Sequence, residues 1–493
     1  MKNDTYFVKS QKENYYLIVS PGDQIIPVHP IIKELYDLDI RGELPTEMDG
    51  EGIQKSDSLY LKQYLFFKSK GWFSRYDKRL TEHLGKDNVI NKLSNLRQVL
   101  FEVTDGCNLN CKYCGYGELY GNYDNRTNKN LDFGTAKALI DYLWEYWCSD
   151  FNLSFNNSIV IGFYGGEPLL NTKLIRQIIT YIGSRNTSGI RFQFNMTTNG
   201  ILLNKYMDFL KDHDFSLLIS LDGDKTGHSY RTMKNGENSF EKVIRNVHLL
   251  KNKYPDYFME RVNFNSVLHD RNNSEIIFQF IKREFGKIPR ITELNSNGIA
   301  EGKKKEFWEM FKDKFRDLQT AKNCEELKEN MFYDDPEIAV LDTFINQYAG
   351  NTFRTYNDLL GEKKKLEFLP TGTCYPFQKK IFLTVNGKIL PCEKVGQHMP
   401  LGYIKEGIVQ LDIDEIVSKY EKNYHDLISQ CNHCSRWKIC SQCFYFLRHQ
   451  NGKLFCPHFE DGRKFNEYSS RKLSYLEDHP QIYERLFEEV LLE

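Results

Sequence analysis

The feature that most constrains this chain is an alternation. Between residues 97 and 298, short apolar, β-prone runs are followed by segments with helical spacing, and the pattern recurs six times. Residues 97–104, 158–168, 190–200, 215–223, 261–270 and 290–298 read as strands, and residues 133–147 are typical of the helices between them. Within 239–253, Phe240, Val243, Ile244, Val247 and Leu250 recur at helical spacing, with Ser239 placed as an N-cap. Strands joined through helices run parallel. The expected fold is therefore α/β: a curved, partly closed parallel sheet, a partial (β/α)6 barrel related to the TIM barrel. Glycines and polar residues collect at the strand C-terminal ends, where parallel α/β folds place their sites.

The flanks read differently. Residues 1–95 form a small α+β unit, with strands in "TYFVKS" and "YYLIVSPG" and helices in "HPIIKELYDL" and "SDSLYLKQYLFFKSKGWF". Residues 96–300 are the barrel, and residues 301–370 a charged helical bridge. Residues 371–460 are cysteine-rich with short strands, including a hairpin turn at "VNGK" (385–388), and 461–493 a helical tail.

Charge is balanced at a formal −1, which gives no support for nucleic acid as a partner. The start lacks the apolar segment of a signal peptide, and no run of about 18 apolar residues suggests a membrane span. A cytoplasmic location is expected. In that compartment twelve cysteines are better read as metal or redox ligands than as disulfides.

Three of them, Cys107, Cys111 and Cys114, fall in "TDGCNLNCKYCGYG" (104–117). A structural zinc site usually takes four ligands. Three thiolates can form half of such a site, or can hold three irons of a [4Fe–4S] cubane and leave the fourth open. The spacing alone leaves both open; the loop follows the first strand of the series. The next three strands end in "YGGEP" (164–168), "TTNG" (197–200) and "SLDG" (220–223).

This ordered set, over residues 97–270, resembles the radical SAM superfamily, whose signature is CxxxCxxC with an aromatic before the last cysteine, here Tyr113. The resemblance implies that the open iron chelates S-adenosylmethionine and that one electron then cleaves it to a hydrogen-abstracting 5′-deoxyadenosyl radical. It implies cofactor contacts from Tyr113, from Gly165, Gly166 and Glu167, and from Thr198 and Asn199. Ser220 and Arg231 would help hold the carboxylate and ribose, with Asn265 near the adenosyl group.

The seven late cysteines resemble the SPASM extension, which carries two auxiliary [4Fe–4S] clusters, making three in all. By motif order Cys431, Cys434, Cys440 and Cys456 would hold one, and Cys374, Cys392 and Cys443 the other with three thiolates. Glu393 stands where sulfatase-maturing relatives have an aspartate proposed as a base. Cys148 and Cys324 read as buried or incidental thiols.

The resemblance implies a peptide maturase that installs a thioether, ether or carbon–carbon cross-link in a ribosomally made precursor. Residues 1–95 would act as a winged-helix-like leader-binding domain. The other partner implied is a one-electron donor such as flavodoxin or ferredoxin. The alternatives are a sulfatase-maturing, formylglycine-generating enzyme and, from another class, a zinc-binding interaction protein.

Overall fold

The computed structural model describes residues 5–19, 24–44, 55–73, 80–152, 158–185, 189–332, 335–349, 368–371, 375–450 and 452–489. Its contacts divide the chain into two compact units. One comprises Met1–His83, Glu337–Cys374 and Glu421–Glu493; the other comprises Leu84–Pro336 and Tyr375–Tyr420.

The first unit contains an antiparallel meander of β1 (Thr5–Lys9), β2 (Tyr15–Val19) and β3 (Gln24–Val28), followed by α1 (Pro30–Arg41) and α2 (Lys55–Ser69). Helix α1 starts at a proline, whose missing N–H costs nothing there, and stops at Gly42 in the left-handed conformation. Leu17, Val19 and Val28 of the sheet pack with Ile32, Leu35, Leu61, Tyr64 and Phe67 of the helices in one core. Each such side chain contributes roughly 1.5–3 kcal/mol of burial. The outer side of β1 meets the helix Gly462–Asp478, where Ser470 Oγ donates to the Lys9 carbonyl at 2.6 Å. Strand β3 is the other edge of this sheet.

The second unit contains the barrel. Its strands are β4 (Gln98–Thr104), β6 (Ser158–Gly165), β7 (Arg191–Thr198), β8 (Ser216–Ser220), β10 (Val262–Leu268) and β11 (Arg290–Glu293); the short β5 (Leu109–Cys111) and β9 (Arg231–Met233) pair apart from them. All six pair in parallel and lie side by side in chain order, as the alternation predicts. Strand β4 is buried almost throughout, as a parallel strand covered on both faces must be. The helix Thr172–Ser184 shows why these segments cover the sheet. Leu174, Ile175, Ile178, Ile179 and Ile182 form one buried stripe, and Asn171 caps the first turn.

Two features differ from the sequence expectation. The strand Lys380–Leu383 joins this sheet as a seventh parallel strand beside β4, and the hairpin through Val385–Lys388 continues the sheet antiparallel. Ser239 stands at the N-cap of the helix Phe240–Lys253, as expected, but its side chain makes no capping hydrogen bond: its hydroxyl is buried and donates to the Arg231 carbonyl at 2.7 Å. No helix among the described residues is long and apolar enough to cross a membrane.

Candidate active site

The site is built at the C-terminal ends of the barrel strands. Pairing between β4 and β6 shifts register between Glu102 and Thr104, just before the cysteine loop; such irregularities commonly re-aim residues beside a site. The loop is pinned from two sides. On one, β5 pairs with β9, setting Cys111 opposite Arg231. On the other, the Gly166 N–H donates to the Thr104 carbonyl at 2.8 Å and the Glu167 N–H to the Gly106 carbonyl at 2.9 Å. A Cβ on Gly165 would lie 2.1 Å from the Thr104 oxygen, and one on Gly166 2.1 Å from the Gly106 oxygen. Gly165 also has φ +132°. The two glycines thus let strand β6 close against the cysteine loop itself.

Glu167 is fully buried and does not line the cavity described below. Its carboxylate accepts from Thr198 Oγ1 at 2.7 Å, the Asn199 N–H at 2.8 Å and the Leu169 N–H at 3.2 Å, tying the ends of β6 and β7 together. Burial pushes its carboxyl up to about 7, against the pull of those donors.

Asp222, in "SLDG", organises the opposite wall. It accepts Arg231 Nε at 2.9 Å and Nη2 at 3.0 Å, the Val267 N–H at 2.9 Å, and the Tyr113 hydroxyl. Burial works to raise its carboxyl, but the Arg231 guanidinium outweighs it and holds the group below the usual carboxylate range. Arg231 also lies over the Tyr113 ring, 5.3 Å from its centroid.

Between these walls is a cavity of about 240 Å³, lined by the three cysteines of the loop. Tyr113, Gly165, Gly166, Thr198 and Asn199 also face it, as do Ser220, Arg231, Asn265 and Glu393. Ser220 and Asn265 sit side by side in the β8–β10 register. Glu393 is paired with Lys380, with Nζ 3.1 and 3.2 Å from its two oxygens. Arg126 Nη2 donates to Cys114 Sγ at 3.1 Å. Burial pushes the Cys111 thiol up to about 12, with Arg231 pulling it back and the neighbouring Cys114 and Cys107 adding to the rise; Cys107 is raised by burial as well. The three sulfurs are half-buried soft donors. With a guanidinium beside them and open space in front, this donor set fits a thiolate-held iron–sulfur cluster.

In the other unit, Cys431, Cys434, Cys440 and Cys456 line one cavity of about 50 Å³, and Cys443 is not among its lining residues. The Cys456 N–H donates to Gln430 Oε1 at 2.9 Å, fixing its backbone to the end of the helix that carries Cys431. Among the described residues no group of three or more His, Cys, Asp or Glu converges on a single-ion site. Cys374 lies outside the described residues. Cys392 belongs to the barrel unit and Cys443 to the other. Cys148 is exposed rather than buried, and Cys324 is partly exposed.

Sequence reasoning missed Asp222, Arg126, Lys380 and the buried Glu102. A charged residue inside the apolar run of β4 signals Glu102, and the "SLDG" turn contains Asp222. Arg126 stands in a polar loop with no motif, and Lys380 gains its meaning only from a strand pairing some 280 residues away along the chain.

Comparison with known proteins agrees with this geometry. Residues 101–282 match the radical SAM superfamily. An uncharacterized protein of Methanocaldococcus jannaschii is 38% identical over 32% of this chain and 50% of its own length. A cysteine-type anaerobic sulfatase-maturating enzyme of Clostridium novyi is 26% identical over 78% of this chain and 98% of its own. The radical SAM cyclopropyl synthase TigE of Paramaledivibacter caminithermalis is 26% identical over 38% and 40%. The chain thus spans half of the first relative, nearly all of the second and two fifths of the third. The three-thiol loop, the strand-end motifs and strands β6, β7, β8 and β10 fall inside the matched segment, so residues 101–282 carry a radical SAM domain.

Proposed function

We propose that this chain is a peptide maturase that oxidises a ribosomally made precursor and closes an intramolecular cross-link by a thioether, ether or carbon–carbon bond. The observation that carries the reading is that Glu393, paired with Lys380, lines the same cavity as Cys107, Cys111 and Cys114. When bound, a [4Fe–4S] cluster and S-adenosylmethionine supply one-electron cleavage and a hydrogen-abstracting radical. The three thiols hold the cluster; Ser220, Arg231 and Asn265 orient the cofactor, and Asp222 orients Arg231. Cross-linking removes two hydrogens from the peptide. Glu393 accepts the proton released at the second bonding atom of the peptide, and Lys380, 3.1 Å away, holds its carboxylate in place.

The second electron needs an acceptor. Four thiols around one cavity support an auxiliary cluster at Cys431, Cys434, Cys440 and Cys456. The position of β3 at the edge of the N-terminal sheet supports leader binding by strand addition. A flavodoxin or ferredoxin supplies the electrons, and the setting is cytoplasmic.

The match over nearly the whole of a sulfatase-maturating enzyme favours a second reading, oxidation of a cysteine in a sulfatase. Co-expression with candidate peptides, followed by mass spectrometry, separates the two. The maturase reading predicts loss of two hydrogens with sulfur retained. Loss of sulfur from a cysteine supports the sulfatase reading instead, and an unchanged precursor from the neighbouring reading frames overturns the first.

A further inference from the structure

Beside the cysteine loop lies a cation that the proposed chemistry does not use, Arg126. Arg126 Nη2 lies 3.1 Å from Cys114 Sγ, and its guanidinium carbon stacks 4.5 Å from the centroid of the Tyr116 ring. The Tyr116 hydroxyl donates to Glu102, which is 1% exposed and whose other oxygen accepts the Val385 N–H at 2.9 Å. The guanidinium is thus held by a chain of contacts that ends in the barrel sheet, and Arg126 Nε is buried without a hydrogen-bond partner.

We propose that Arg126 is a positioning residue that raises the reduction potential of the cluster held by Cys107, Cys111 and Cys114, through a charge-assisted hydrogen bond to the Cys114 thiolate. The inference rests on the cluster assignment above. Reduction adds a negative charge in a buried site, where little solvent answers it. A fixed guanidinium on a ligand sulfur stabilises the reduced state more than the oxidised one. The stack on Tyr116 fixes the plane of the fork, which a lysine ammonium does not reproduce. The reduced cluster is thereby brought within reach of a one-electron donor.

The test is a mediated redox titration of the anaerobic, reconstituted full-length protein, followed by EPR on the signal that changes when S-adenosylmethionine is added. Arg126→Gln is expected to make reduction about tenfold less favourable, which is about 59 mV more negative for one electron. Arg126→Lys should fall between Gln and wild type, and Tyr116→Phe should shift the same way by less. Iron content shows whether each variant holds its cluster. If Arg126→Gln does not, an unshifted potential in both Arg126→Lys and Tyr116→Phe overturns the proposal. An Arg126→Gln variant with full iron and the wild-type potential overturns it directly. Wild-type protein with no signal responsive to S-adenosylmethionine would instead overturn the cluster assignment.

Discussion

Asp222 grips Arg231 with both carboxylate oxygens, at 2.9 and 3.0 Å, and the two side chains are 0% and 8% exposed. Removing one partner leaves the other charged in a buried site, at a cost of about 3–5 kcal/mol. Asp222→Ala should therefore lower the unfolding free energy of the barrel by that order in chemical denaturation. A loss under about 1 kcal/mol, the value of an exposed pair, would show that water reaches this pair.

Glu102 predicts a pH dependence. Burial raises its carboxyl to about 7 from a usual 4.5, more than Tyr116 and the Val385 N–H lower it. A raised folded value means that the stability contribution is complete below about pH 4.5 and is lost as pH climbs through about 7. The span is on the order of 3 kcal/mol. Glu102→Gln stays neutral, and its amide can serve both neighbours, so its stability should be flatter across that window. Parallel curves for the two proteins between pH 5 and 8 would contradict the assignment.

Gly165→Ala and Gly166→Ala each drive a Cβ to within 2.1 Å of a carbonyl oxygen of the cysteine loop. The backbone must give way, at a cost on the order of 3 kcal/mol. The displaced loop should hold less iron after reconstitution, and iron analysis checks this. Wild-type iron in both variants would mean that the strand and the loop do not touch this closely.

Much of this site is legible in the sequence because its parts are local. Glycine at 165 and 166, the cysteine spacing and the polar strand ends are short motifs whose physical demands fall within a few residues. Chain order also becomes spatial order in a sheet built from crossover units, so the six barrel strands follow from periodicity alone. The strand Lys380–Leu383 escapes that logic, because its pairing with β4 is long-range. Arg126 escapes it too: a loop arginine gains meaning only when folding sets it against Cys114. Asp222 is visible as a turn residue, but its four-way role as acceptor arises from three separate elements.

The four cysteines lining the smaller cavity predict a separable metal site. Replacing Cys431, Cys434, Cys440 and Cys456 together by Ala should remove about four irons per chain. The signal responsive to S-adenosylmethionine should persist. Unchanged iron would show that these thiols hold none.

The most direct measurement is reductive cleavage of S-adenosylmethionine by the anaerobic protein carrying Ala at positions 107, 111 and 114. The account predicts that 5′-deoxyadenosine formation disappears while the iron at the late cysteines remains. Cleavage that survives the triple substitution would contradict it.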